Sequence, residues 1–212
     1  MKFGQINLLR LLPSNIKKHF LDIGHPDDLI LISGMGRSGT TWLADLVNYK
    51  KNYRIMFEPF LPTEVKEVKG FEYIQYLNTK ASRPELEKSA KTILSGKAFS
   101  SWIDKDNNYC FYHKRIIKDI RINLMLAWLL KTSNYPKTIL LLRNPLQVAN
   151  SWLKLKWGIE HKGRKSDLDI ILSQKEILSD FPLLEKIQKL INFNDPIERL
   201  ILQWCIFYYI PL

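Results

Sequence analysis

The stretch Asp28-Leu29-Ile30-Leu31-Ile32-Ser33-Gly34-Met35-Gly36-Arg37-Ser38-Gly39-Thr40-Thr41-Trp42-Leu43 decides the fold class. Residues 28–33 form a short apolar run bounded by charge and glycine, the pattern of a strand buried on both faces of a parallel sheet. Gly34 to Gly39 make a glycine-rich turn, and over residues 40–49 the apolar Trp42, Leu43, Leu46 and Val47 recur at helical spacing. Strand, glycine loop and helix in that order cradle an anion. The glycines allow a tight turn, backbone N–H groups converge, and the helix N-terminus adds a favourable dipole. The G-x-x-x-x-G frame is that of a phosphate-binding loop.

Outward from this stretch, strand-like runs occupy 53–57, 109–117 and 138–142, the last closed by Arg143-Asn144-Pro145. Helical patterns cover 84–95, 122–131, 170–190 and 196–209. A short amphipathic helix is expected at 6–12, cut by Pro13, and a polar, basic loop at 158–165. Strands alternating with helices predict an α/β fold, a phosphate-loop parallel sheet with helices on both faces. Neither repeats nor low-complexity linkers interrupt the chain, so residues 1–212 read as a single domain with its core at about 28–152.

The chain has 212 residues, 46% hydrophobic and 25% charged, which excludes a disordered or collagen-like polymer. Its 32 Lys and Arg against 21 Asp and Glu leave a net charge of +11, and such an excess points to an anionic partner. Cys110, Cys205 and 4 scattered His make neither a disulfide framework nor a metal-ligand cluster. No apolar stretch has the length of a membrane span or the form of a signal peptide, and a cytoplasmic location is expected. The almost wholly apolar residues 200–212 suggest that a C-terminal part of the domain is missing.

The loop departs from a nucleoside triphosphatase in two ways. Thr40 stands where a Walker loop has Lys, with the positive charge moved inside the loop to Arg37. The run 138–142 ends in Arg143, where magnesium chemistry requires an acid. Such a site suits an anionic nucleotide handled without metal.

Residues 36–43 resemble the 5′-phosphosulfate loop of sulfotransferases that use 3′-phosphoadenosine 5′-phosphosulfate. Arg143 ending a strand, with Ser151 eight residues later, resembles that family's 3′-phosphate signature. Phe57-Glu58-Pro59-Phe60 resembles a segment of its carbohydrate-type members, and Ile116-Ile117-Lys118-Asp119-Ile120-Arg121 their strand ending in Lys with Arg three residues on. The likeness spans about 29–152, leaving 153–212 as a helical, acceptor-side region. It implies sulfuryl transfer from that donor to a hydroxyl on a small-molecule or carbohydrate acceptor, with neither metal nor nucleic acid involved.

On this resemblance Arg37, Ser38, Gly39, Thr40 and Thr41 hold the 5′-phosphate, Arg37 also acting in catalysis at the bridging oxygen where negative charge grows, and Arg143 and Ser151 hold the 3′-phosphate. Trp42 lies near the adenine, or by its periodicity in the core. Lys118 approaches the transferring sulfonate, or is a surface lysine at a strand end. Ile120 stands where phenol and steroid sulfotransferases carry a catalytic His, so Glu58 becomes the candidate general base. Partial burial is expected to raise its carboxyl towards neutrality, while a structural ion pair with Lys118 or Arg37 is the alternative. His113 is expected to be structural. The basic Lys154, Lys156, His161, Lys162, Arg164 and Lys165 form either a solvated face or an acceptor lid, with Trp152 and Trp157 able to stack on sugars. Three other readings stay open: a kinase or triphosphatase relative, a nucleic-acid binder, and an inactive nucleotide-binding remnant.

Overall fold

The computed structural model describes residues 22, 24, 28–107, 111–133, 136–157, 165–192 and 194–212. Its strands are β1 (Leu29–Ser33), β2 (Tyr53–Phe57), β3 (Lys114–Asp119) and β4 (Lys137–Leu140). They form one parallel sheet in the order β2-β3-β1-β4, the α/β architecture expected from the alternation of elements. β1 sits inside the sheet, so Leu31 and Ile32 are fully buried, which explains its unbroken apolar run.

Period-2 alternation sends Leu29, Leu31, Met56 and Ile117 to one face, where they meet Phe60, Phe71, Ile93 and Trp128. Ile32 and Ile116 point to the other face and pack against Ala44 of α1 (Thr40–Val47). Helices α2 (Pro84–Leu94) and α3 (Leu126–Thr132) contribute to the first layer. A third apolar cluster joins the loop residue Met35 to α4 (Pro145–Leu155), α5 (Asp167–Leu172), α6 (Lys175–Asp180), α7 (Leu183–Gln188) and α8 (Pro196–Tyr209).

Residues 53–57 and 196–209 form the expected elements without change. Elsewhere the boundaries move. The third strand starts at Lys114 and runs to Asp119, later than the apolar pattern of 109–117 indicates. β4 ends at Leu140; the Leu141 N–H still donates to the Ser33 carbonyl at 2.8 Å, and the chain then leaves the sheet. Arg143 therefore lies in the turn beyond the strand. The helix expected at 122–131 opens with a tight turn at Asn123–Met125. The helix expected at 170–190 is three short ones. Gln174 is extended, and its side-chain oxygen accepts from the Tyr76 N–H at 2.8 Å; Pro182 brings no N–H to continue a helix through Phe181. Residues 6–12 and 158–164 lie outside the described residues.

The amino ends of β2 and β3 carry two buried arginines side by side, Arg54 and Arg115. Asp22 accepts from Arg115 through both oxygens at 2.7 Å and from Arg54 at 3.4 Å. Arg54 also forks onto Asp104 at 2.8 and 3.0 Å. Removing one partner of a buried ion pair strands the other charge at a cost of about 3–5 kcal/mol. Urea denaturation of Asp22→Ala should show a loss of stability of about that size; a loss under ~1 kcal/mol would mean that Asp22 does not clamp the sheet.

Candidate active site

In a parallel sheet all carboxyl ends face one edge, the edge at which α/β folds bind ligands. Here that edge receives the glycine loop after β1, Glu58 after β2, Lys118 to Arg121 at the end of β3, and Arg143 after β4. The candidate residues are thus brought to one edge from four separate strands.

The loop is held from three sides. Trp152 of α4 donates to the Gly36 carbonyl at 2.7 Å. The Tyr208 hydroxyl of α8 accepts from the Met35 N–H at 3.0 Å, pairs with the Ser38 hydroxyl at 3.1 Å and donates to the Leu141 carbonyl at 2.8 Å. Arg143 donates to the Arg37 carbonyl at 3.0 Å. Gly39, in the left-handed region at φ 100°, lets the chain turn into α1, whose first turn has neither a side-chain cap nor an acidic residue. Its N–H groups and positive dipole end are left for an anion.

Around this opening stand two exposed cations. Arg37 has a left-handed backbone at φ 69° and donates to the Ser151 hydroxyl at 3.0 Å. Arg143 donates from Nε to Gln147 at 3.1 Å, and its own carbonyl accepts from Trp204 at 3.0 Å. Arg37, Ser38, Arg143 and Ser151 therefore gather in one place. Thr40 is buried under the loop and Thr41 is exposed beside it. Trp42 is 68% exposed, which removes its core alternative. Two guanidiniums, a serine hydroxyl and an open helix N-terminus fit the phosphates of a nucleotide.

The second half of the site is a buried ion cluster. Glu58 is 6% exposed and Lys118 3%. Glu58 Oε1 accepts from Lys118 Nζ at 2.5 Å, and Oε2 accepts from Arg121 Nη1 at 2.7 Å. Arg121 also donates to the Tyr73 hydroxyl at 3.3 Å, and the Lys118 ammonium lies 4.4 Å from the centre of the Phe57 ring. Lys118 is therefore no surface lysine. The alternative foreseen for Glu58, an ion pair, is present with Lys118 and with Arg121 but not with Arg37.

The expected rise in the Glu58 pKa is corrected. Burial does push it up, but the charges and hydrogen bonds of Lys118 and Arg121 outweigh burial and hold the carboxyl below its usual range. At neutral pH Glu58 is a carboxylate. Asp119 next door behaves oppositely: burial pushes its carboxyl up to about 6, against the pull of Arg121.

Glu58 and Arg121 open onto a cleft of about 400 Å³, within the range of small-molecule sites. Its wall is largely aromatic, with Phe57, Tyr73, Trp102, Trp152, Trp157 and Phe207. Ile74, Ile120, Lys156, Lys165 and Asp167 complete it. The cleft abuts the glycine loop. A Cβ at Gly36 would lie 3.2 Å from the Trp152 ring and 3.3 Å from the Ile120 side chain, and the Arg37 guanidinium sits 5.9 Å from the Trp157 ring centre. Of the basic stretch, Lys156 and Lys165 reach the cleft, while His161, Lys162 and Arg164 lie outside the described residues. His113 is exposed just before β3, at the far end of that strand from the site.

In the sequence Arg121 stands only as part of a motif; its place three residues after Lys118 is the signal, and its partner Glu58 lies 63 residues away. Tyr208 carries none beyond its position in a helical run, because its bonds reach between 67 and 173 residues back along the chain. Among the described residues no group of His, Cys, Asp and Glu is arranged to hold a metal ion, and no helix is long and apolar enough to cross a membrane.

Comparison with curated proteins and with solved structures gives no significant match. The family model described as the sulfotransferase domain matches residues 26–193, which include the loop, the ion cluster, Arg143 and Ser151. With most of its length covered by that match, the chain belongs to the sulfotransferase domain family.

Proposed function

We propose that the chain transfers a sulfuryl group from 3′-phosphoadenosine 5′-phosphosulfate to a hydroxyl acceptor bound in the aromatic cleft. One observation carries this reading: the cleft holding Glu58 and Arg121 shares a wall, through Gly36, Ile120, Trp152 and Trp157, with the loop holding Arg37. Donor and acceptor sites that share a wall satisfy the first demand of group transfer, proximity.

The donor supplies the activated sulfuryl group. Arg37, Ser38, Gly39, Thr40 and Thr41 hold its 5′-phosphate through charge and N–H groups, and Arg143 with Ser151 reads the 3′-phosphate. Trp42 offers an exposed ring face to the base. Arg37 supplies fixed positive charge where the leaving phosphate becomes more negative, a task a metal ion performs in triphosphatases.

Glu58 accepts the acceptor hydroxyl proton. Ile120 occupies the cleft wall without proton-transfer chemistry, whereas the Glu58 carboxylate is ionised and so able to take a proton. Lys118 and Arg121 keep its proton affinity low; neutralising the carboxylate frees the Lys118 ammonium to face developing negative charge. The flat faces of Trp102 and Trp157 suit a ring-bearing acceptor such as a sugar, and Lys156 and Lys165 favour one carrying an acidic group.

The test is turnover with this donor in wild type and Glu58→Gln. A general base contributes ~10²–10⁴-fold, so Glu58→Gln should lose that much in kcat while retaining nucleotide affinity. Turnover within a few-fold of wild type would make Glu58 a structural carboxylate. Chelator should leave the wild-type rate unchanged, and a strict magnesium requirement would return the site to a phosphoryl-transfer reading.

A further inference from the structure

The Glu58 backbone is strained: its φ of 41° lies in the left-handed region, a conformation that costs a non-glycine residue about 1–3 kcal/mol and persists only where its surroundings enforce it. Three contacts enforce it here. The Glu58 N–H donates to the Lys118 carbonyl at 2.7 Å, which extends the β2–β3 pairing by one step. Its carbonyl accepts from Trp102 Nε1 at 3.2 Å. Two residues on, the Phe60 N–H donates to Asp119 Oδ2 at 2.8 Å.

Asp119 is fully buried, as is Phe60, whose ring packs edge-on against Phe71. Its other oxygen, Oδ1, accepts from the Arg121 N–H at 2.8 Å. One carboxylate therefore ties together two turns, one delivering Glu58 and the other Arg121, whose side chains meet at 2.7 Å. Asp119 is the last residue of β3 and lies in register with Ser33, the last residue of β1 before the phosphate loop. It does not line the cleft.

We propose that Asp119 is a positioning residue for sulfuryl transfer: by accepting from Phe60 and Arg121 it fixes the strained turn that aims the Glu58 carboxylate into the cleft. This rests on Glu58 being the base. A carboxylate meets both N–H groups with acceptors. An asparagine amide offers one acceptor and turns its NH₂ towards the remaining N–H, so one tie becomes a repulsion. The Glu58 turn then relaxes, and a displacement of about 1 Å at a reacting group costs on the order of 10²-fold in rate.

The experiment is a double-mutant cycle with Asp119→Asn and Glu58→Gln, reading kcat and the affinity for adenosine 3′,5′-bisphosphate. Asp119→Asn alone should lower kcat by about 10²-fold and leave nucleotide affinity within about twofold, since the donor loop is anchored elsewhere. In the Glu58→Gln background the same change should cost less than about threefold, because a residue acting through Glu58 has nothing left to position. Equal losses in both backgrounds, or a single mutant within about threefold of wild type, would overturn the proposal. A merely structural role would lower nucleotide affinity and kcat together and act additively. If Asp119→Asn does not fold, Asp119→Ser, smaller and with one hydroxyl acceptor, enters the cycle in its place under the same criteria. A Glu58→Gln rate near wild type would instead sink the base assignment, an outcome distinct from additivity.

Discussion

A carboxylate buried between an ammonium and a guanidinium at the carboxyl edge of the sheet is the interaction around which the cleft is built. Taking Glu58, Lys118 and Arg121 out of water costs several kcal/mol per charge, and apolar residues of the same volume would serve stability as well or better. The sheet nonetheless delivers all three to one place: Glu58 one residue beyond β2, Lys118 inside β3, Arg121 in the turn after it. The strained Glu58 backbone adds to that cost. A buried charge cluster on a strained turn, facing a cleft, is the arrangement on which the proposed active site rests.

The donor half shows the same economy of means. In the proposed donor half two arginines carry the positive charge, one from the loop after β1 and one from the turn after β4. Tyr208 locks these together: its one hydroxyl serves Met35, Ser38 and Leu141. Trp152 both donates to the loop and lines the cleft, so the proposed donor and acceptor halves share a residue.

Much of this was legible in the sequence, for local reasons. β1, the glycine loop and α1 could be read from one contiguous stretch because apolar run, turn chemistry and helical period are local signals. Glu58, Lys118, Arg143 and Ser151 stood at recognisable distances from strand ends. What could not be read depends on long-range contacts. The direction of the Glu58 shift turns on whether burial or its cations prevail, and Arg121 became a partner only when the turn after β3 placed it. The boundaries of β3 and β4 are set by pairing with β1, not by their own apolar runs. The helix at 170–190 broke where Gln174 found the Tyr76 backbone, a contact almost a hundred residues distant.

The family is shown by the match over residues 26–193; that this particular edge reads a 3′-phosphorylated nucleotide rests on Arg143 and Ser151. Calorimetric titration of adenosine 3′,5′-bisphosphate against 5′-AMP, in wild type and Arg143→Ala, tests this most directly. The bisphosphate should bind wild type at least about tenfold more tightly than the monophosphate, a difference of ~1.4 kcal/mol, and Arg143→Ala should erase most of that preference. Equal affinity for the two nucleotides, or a preference untouched by Arg143→Ala, would contradict it.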